Sequence, residues 1–187
     1  MIDFKIKENI KASNKSWENW KKVKELMKKE ILVGIPESTS PRKKGALNNA
    51  ALLFIHTHGS PLHNIPARPL IEPALSEREN ADRIAKDLKA VVEKVVEGNM
   101  DGATRLLTIT GMDAVRMIRS WFSDPRNNWP PNQPKTVKAK IKKKKMSKAK
   151  RAQLLESYEA GDTGIDQPLI DTGELRKSIT YVVRDKK

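Results

Sequence analysis

The first apolar pattern in the chain is that of an amphipathic helix. Apolar residues recur at steps of three and four, at Trp17, Trp20, Val23, Met27 and Ile31. Lysines fill the opposite face, which is typical of a helix packed on a core through one side. The helix is expected to end near Glu30, and we expect one of the two tryptophans to lie in the core.

A short strand and a second helix follow in the pattern. Residues 31–35 (ILVGI) are rich in β-branched side chains and are followed by Pro36, which predicts a strand. The polar residues 36–48 predict a mobile loop. Next comes NNAALLFIHTHG, where Asn48 or Asn49 supplies an N-cap and Gly59 a C-cap. Four prolines in residues 60–73 predict an extended, stiff segment, here called the bracket.

Two longer helical patterns occupy the middle of the chain. The first covers residues 73–96, with its apolar stripe at Leu75, Ile84, Leu88, Val91, Val92 and Val95. The sequence GNMDG interrupts it, and a second stripe covers residues 103–122. Two adjacent amphipathic helices predict a helical hairpin.

The last third is read as an arm, a short helix and a final strand. Residues 125–151 are rich first in proline and then in lysine, which predicts an extended arm, with a short helix starting near its end at residues 147–159. Residues 171–178 predict a helical turn and residues 179–184 a strand. The predicted fold class is α+β: a single domain, residues 1–187, with a small antiparallel sheet packed against a helical hairpin, an N-terminal helix and extended arms.

Charge changes this picture in one segment. The formal net charge is +14, and residues 135–151 contain no acidic residue. Their ten basic residues are Lys135, Lys138, Lys140, Lys142, Lys143, Lys144, Lys145, Lys148, Lys150 and Arg151. Such a run favours contact with nucleic-acid phosphates, above all through Lys138, Lys140 and residues 142–145, and Trp129 precedes it as a base-stacking candidate. The alternative is a solvated segment that becomes ordered only in an assembly.

Composition excludes several classes of site. The chain has no cysteine, which excludes a disulfide scaffold, a thiol nucleophile and a Cys-ligated zinc site. No apolar run approaches the roughly 18 residues of a membrane span, so no membrane partner is expected. No nucleotide-binding, hydrolase or metalloprotease motif occurs. We therefore expect no enzymatic activity and no cofactor.

Asp-Thr-Gly occurs twice, at residues 162–164 and 171–173, and the same tripeptide presents the carboxylate of aspartic proteases. That chemistry needs two carboxylates sharing a proton, and two loops nine residues apart do not come from two lobes. The sequence instead favours a helix start, with Asp171 as N-cap and Glu174 at the capping-box position. Leu175 and Ile179 are then expected to face the core.

The three histidines, His56, His58 and His63, leave a metal site open as an alternative. A helix places His56 and His58 roughly 200° apart around its axis, and no carboxylate lies close by in the sequence. We favour a surface pair at a helix end.

Three segments in a fixed order carry a resemblance to a known family. They are AALLFIHTHGSP, IPARPLIEPAL and PLIDTGELRKSITYVV, with WPPNQPKTVKAK before the last. Over about residues 31–183 the chain resembles the neck or tail-completion proteins of long-tailed bacteriophages and prophages. The matching positions are Ile65, Pro66, Arg68, Pro69, Leu70, Pro168, Leu169, Asp171, Thr172, Gly173, Leu175, Ser178 and Ile179. The chain departs from the family at residues 56–58 and in its longer lysine run.

The resemblance implies a structural virion protein at the head–tail junction, assembled in the bacterial cytoplasm. It implies a homo-oligomeric ring that contacts the portal or connector and the tail-terminator or tail-tube proteins, and possible non-specific contact with packaged DNA. The docking residues that it implies are Ile65, Pro66, Arg68, Pro69, Leu70, Trp129, Pro130 and Pro131. The C-terminal motif is implied to be structural.

Overall fold

Helices dominate the computed structural model, which describes residues 17–36, 47–162, 164 and 166–186. Within these residues the elements are α1 at residues 17–27, β1 Lys29–Gly34, α2 Asn49–His58, α3 Ile71–Ser76, α4 Arg78–Val96, α5 Met100–Trp121, α6 Pro134–Lys143, α7 Lys148–Glu159, α8 Glu174–Ser178 and β2 Thr180–Asp185. The strands form one antiparallel pair. The protein thus mixes helix and sheet, as its sequence predicts.

The chain divides into two units. Unit 1 comprises Met1–Gly34, Leu75–Met117 and Thr180–Lys187, and unit 2 comprises Ile35–Ala74 and Ile118–Ile179. The assignment of residues 1–187 to a single domain stays a prediction.

Unit 1 is built on the helices α4 and α5. Val91 and Val95 of α4 are buried with Ala103 and Leu107 of α5, because each pair lies one helical turn apart on one face. Apolar residues of α1, β1 and β2 pack against this cluster; Ile31 and Val183, which pair across the sheet, are two of them.

Unit 2 contains the shorter helices. Helix α2 packs with α8, and α6 packs with α7. The largest fully buried side chains among the described residues of this unit are Leu70, Ile118, Phe122, Val137, Ile141 and Ile179. They come from the bracket, the end of α5, the lysine run and the C-terminal motif, so residues distant in sequence share one core.

Several helix and strand boundaries differ from the predicted ones, in two cases because of local hydrogen bonds. The helix predicted over residues 73–96 is two helices, because the Glu77 backbone is extended and its carboxylate accepts a hydrogen bond from the Glu79 amide, 3.1 Å away. Helix α5 begins before residue 103, since Asn99 Oδ1 accepts from the Gly102 amide at 2.8 Å. Helix α1 ends at residue 27, and β1 begins at Lys29.

Two further expectations need correction. Trp17 and Trp20 are both more than half exposed, so neither lies in the core; the Lys21 ammonium lies 5.7 Å from the centre of the Trp17 ring. The extended arm over residues 125–151 is wrong over most of its lysine-rich part, where α6 and α7 form. The predicted helix at residues 147–159 is confirmed, with Ser147 as its N-cap.

The arm was mispredicted because an apolar pair inside it was overlooked. Val137 and Ile141 are four residues apart and are both buried. That spacing defines one face of a helix, and the lysines other than Lys140 lie on the exposed surface. The loop predicted over residues 36–48 falls largely on residues 37–46, outside the described part of the chain.

Candidate functional site

The bracket begins as a closed loop in unit 2. Gly59 ends α2 with φ 75°, a conformation that glycine adopts without strain. Ser60 and Ile65 then exchange two backbone hydrogen bonds, of 2.8 and 2.9 Å. Pro61 starts a 3-10 turn between them, and Asn64 ends it in the left-handed region. The loop is held by its own backbone and presents Leu62 to solvent with 87% of its surface exposed.

Arg68 connects the bracket to two other segments. Its amide donates to the His56 carbonyl, 2.6 Å away. Its guanidinium donates to the Pro130 carbonyl from Nε at 3.2 Å and from Nη2 at 2.8 Å, and from Nη2 to the Pro131 carbonyl at 3.1 Å. Arg68 is only 5% exposed, and burial lowers its pKa, against the opposing effect of Asp166.

Trp129 makes a second connection of the same kind. Its indole Nε1 donates to the Pro69 carbonyl at 3.0 Å. Its ring meets the buried Phe122 edge-on, with ring centres 6.1 Å apart. Trp129 thus packs within the chain rather than standing free as a stacking platform.

The predicted docking residues therefore divide into three groups by burial. Arg68 and Leu70 are buried within unit 2, so these two do not project toward a partner, contrary to the docking role that the resemblance implies. Ile65 and Trp129 are half-buried. The exposed members are Pro66, Pro69, Pro130 and Pro131.

The C-terminal motif packs as expected but is capped differently. Leu175 and Ile179 are buried, which confirms their predicted orientation. Helix α8 starts at Glu174, with Gly173 as N-cap at φ 79°. The predicted cap by Asp171 is wrong: Thr172 Oγ1 is the side-chain acceptor for the Glu174 amide, at 3.3 Å. Glycine in the left-handed region makes a tight turn, and the N-cap lies two residues beyond its predicted position.

The protease geometry is not formed by the residues that the structure describes. Asp171 is exposed, and its carboxylate lies 3.8 Å from the Lys143 ammonium. Asp162 Oδ1 accepts from the Gly164 amide at 2.9 Å. No hydrogen bond joins the two carboxylates in this part of the chain, whereas a catalytic pair shares a proton at short range.

The lysines of the basic run lie in different environments. Lys138 pairs with Glu159 at 2.6 Å, which raises the pKa of the lysine. Lys140 points inward and donates to the Gln167 and Ile170 carbonyls, both at 2.8 Å. Lys142, Lys144 and Lys145 are exposed. Of the lysines predicted to contact phosphates, these three therefore remain available. Lys143 lies beside Asp171.

A cleft of about 270 Å³ in unit 2 joins the segments that carry the resemblance. Helix α2, the bracket, helix α6 and the C-terminal motif all line it. The polar side chains on its wall are His56, Arg68, Asn132, Thr136, Lys140, Asp171, Thr172 and Glu174. Sequence patterns do not predict this site, because its members come from four separate segments. The buried Val137–Ile141 pair was the available signal, since it fixes the face of α6 and hence the position of Lys140.

His56 is the least satisfied polar group of this cleft. Its Nδ1 is buried and has no hydrogen-bond partner among the described residues. Burial lowers the pKa of His56, and the nearby positive charges of Arg68 and Lys140 lower it further. His58 lies elsewhere, with its Nδ1 2.9 Å from the Phe54 carbonyl oxygen. Among the described residues, no group of three His, Cys, Asp or Glu side chains is placed to hold a metal ion.

Comparison with known proteins gives one partial similarity. The chain is 44% identical over 50 residues to an uncharacterized protein of Methanocaldococcus jannaschii. The match covers 27% of this chain and 33% of that protein, so the chain spans about a third of the length of the curated relative. No protein-family model matches the chain, and no solved structure matches it.

The helices were also compared with the requirements of a membrane span. Within the part of the chain that the structure describes, none is long and apolar enough to cross a bilayer.

Proposed function

We propose that this chain is a structural virion protein that joins the capsid connector to the tail at the phage neck, as a subunit of a ring and without catalysis. Its subunit is then an α+β fold in which the small sheet packs on the α4–α5 hairpin. Its partners are further copies of itself, the portal or connector, and the tail-terminator or tail-tube proteins. The site of action is the head–tail junction of a virion assembled in the bacterial cytoplasm.

The observation that carries the proposal is the joining of the resembling segments. Arg68 and Pro69 of the bracket bond to Pro130, Pro131 and Trp129 of the proline-rich segment. Through Lys140, the start of the lysine run bonds to the Gln167 and Ile170 carbonyls beside the C-terminal motif. Segments that recur in order in one family are expected to interact if they form one structural unit, and here they do.

A rigid exposed loop also supports a docking role. A ring subunit needs preorganised surfaces, because ordering a flexible segment on assembly costs about 1–2 kcal/mol per residue. The backbone pairing of Ser60 with Ile65 fixes the bracket loop within the free chain. Leu62 at its tip is then available for contact without that cost.

The test is deletion of the gene in the phage or prophage that carries it, with electron microscopy of the lysate. Filled heads and complete, separate tails are expected. Complementation with Leu62→Gln should fail to restore the titre, whereas Leu88→Gln, an equal change at an exposed leucine of α4, should restore it. Equal titres from the two variants would contradict docking through the bracket, and normal infectious particles from the deletion would refute the neck assignment.

A second candidate function is non-specific nucleic-acid binding, favoured by the exposed Lys142, Lys144 and Lys145. In the described residues these three make no ion pair, so their charges are available to phosphates. A fluorescent oligonucleotide should bind with an affinity that falls steeply with salt. Replacing the three by glutamine should reduce the slope by roughly 0.9 per lost phosphate contact. Replacing the exposed Lys24, Lys86 and Lys89 by glutamine changes the net charge equally and serves as the control; equal slopes for the two variants would exclude the α6 surface.

A further inference from the structure

The cleft of unit 2 has a buried cationic end and an exposed acidic rim. Arg68 is buried, and His56 and Lys140 are partly buried, while Asp171 and Glu174 are exposed. The volume of about 270 Å³ lies just below the range of roughly 300–1,000 Å³ for small-molecule sites. The cleft therefore has room for one functional group and a short attached chain.

The cationic end retains hydrogen-bond donors. Nε and Nη2 of Arg68 bond to the proline carbonyls. The Lys140 ammonium has three N–H groups, of which two are used on the Gln167 and Ile170 carbonyls. The third N–H of Lys140 is available for an acceptor, and so is the unpartnered Nδ1 of His56 when it carries the ring proton.

Two cations, Arg68 and Lys140, repel each other at this end of the cleft. The pKa of His56 is lowered by burial and then by Arg68 and Lys140. Burial also lowers the pKa of Lys140; Asp171 and Asp166 act in the opposite direction, and Arg68 and Lys144 add to the lowering. The Asp166 carboxylate, which accepts from the Asn132 backbone amide at 2.8 Å, keeps its charge and offsets part of this repulsion. The buried end thus holds two cations whose mutual repulsion a bound anion would relieve.

We propose that this cleft binds a single carboxylate group, held by Arg68, Lys140 and His56. The acidic rim selects a monoanion, because Asp171 and Glu174 repel the second charge of a phosphate. The carboxylate belongs either to a partner chain, as a C-terminus or an acidic side chain, or to a free organic acid. The inference rests on the chemistry of the cleft and not on the neck assignment, so either can be refuted without the other.

The experiment follows the three histidines of the full-length chain by NMR at fixed ionic strength. Acetate should shift the His56 resonances saturably and raise the pKa of His56 toward its ordinary value, with the exposed His58 as internal control. Inorganic phosphate should bind more weakly than acetate. A short peptide with a free C-terminus that binds at least tenfold more tightly than its amidated form and than acetate would assign the carboxylate to a partner chain, whereas peptide and acetate of equal affinity would assign it to a free acid.

Two variants locate the site. Lys140→Gln should weaken acetate binding on the order of tenfold, as for loss of a charge-assisted hydrogen bond. Lys142→Gln, two residues along the same helix and exposed, should leave binding unchanged. If Lys140→Gln fails to fold, the acetate titration of the unaltered chain still tests the proposal. No saturable shift of His56 with acetate, or tighter binding of phosphate than of acetate, would overturn the proposal.

Discussion

The hydrogen bonds of Arg68 allow a quantitative test of how unit 2 is held together. Arg68→Ala removes three contacts of 2.8–3.2 Å to the carbonyls of Pro130 and Pro131 from a side chain that is 5% exposed. A hydrogen bond from a charged donor contributes about 1.5–3 kcal/mol. Because two of the contacts share one carbonyl, the three do not add, and we expect the free energy of unfolding to fall by about 2–4 kcal/mol.

Arg126, in the same unit, serves as a matched control. It separates the effect of burying the arginine from the effect of the number of its hydrogen bonds. Arg126 donates from Nε and Nη2 to the carboxylate of Asp124, at 3.0 and 2.8 Å, but its side chain is about half exposed. Arg126→Ala should therefore cost no more than about 1 kcal/mol. Arg68→Lys should lie between the two, since an ammonium keeps the charge but not the planar fork that reaches two carbonyls.

The assay is urea unfolding followed by tryptophan fluorescence and circular dichroism. Replacing the exposed Trp17 and Trp20 by phenylalanine leaves Trp121 and Trp129 as emitters, both in unit 2. The fluorescence transition then reports the unit that Arg68 stabilises. If Arg68→Ala and Arg126→Ala lowered the free energy of unfolding by the same amount within about 0.5 kcal/mol, the buried arginine would not be what joins these segments.

Three further predictions concern backbone, packing and pH. Gly59→Ala should lower the free energy of unfolding in urea by about 1–3 kcal/mol, because φ is 75° and a Cβ would lie 2.8 Å from a neighbouring backbone nitrogen. Gly161→Ala is the control, since its φ is 99° but a Cβ there would meet open space. It should cost less, and the reverse order would contradict the effect of crowding at Gly59. Gly111→Ala should lower the free energy of unfolding by about 1–3 kcal/mol, because a Cβ would collide with the ring of Tyr181. In the double variant with Tyr181→Ala the collision is absent, so the two effects should not add. The lowered pKa of His56 means that the unfolded chain binds the proton more readily, so stability should fall as the pH drops below about 6.5; His56→Gln should weaken this dependence, and an unchanged pH profile would show that another group causes it.

Local sequence signals predicted the elements whose causes are themselves local. The N-cap at Asn48 and the helix end at Gly59 are confirmed, because a cap depends on residues within one helical turn. The final strand was predicted within one residue, as β2 Thr180–Asp185. The burial of Leu175 and Ile179 followed from their spacing alone. The mixed helix and strand content was predictable for the same reason.

Only the tertiary structure decided which polar side chains form hydrogen bonds within the chain. Arg68 and Lys140 looked like charges available to a partner, yet both donate to carbonyls that lie 27 to 63 positions away in sequence. Lysine content suggested an extended arm, but burial of Val137 and Ile141 makes the segment a helix, because the gain from packing one apolar face exceeds weak local preferences. The cleft around His56 likewise depends on four segments meeting in space. Periodicity in sequence determines which face of an element is apolar, whereas the partner of that face, and the charges brought together beside it, are set by contacts between distant residues.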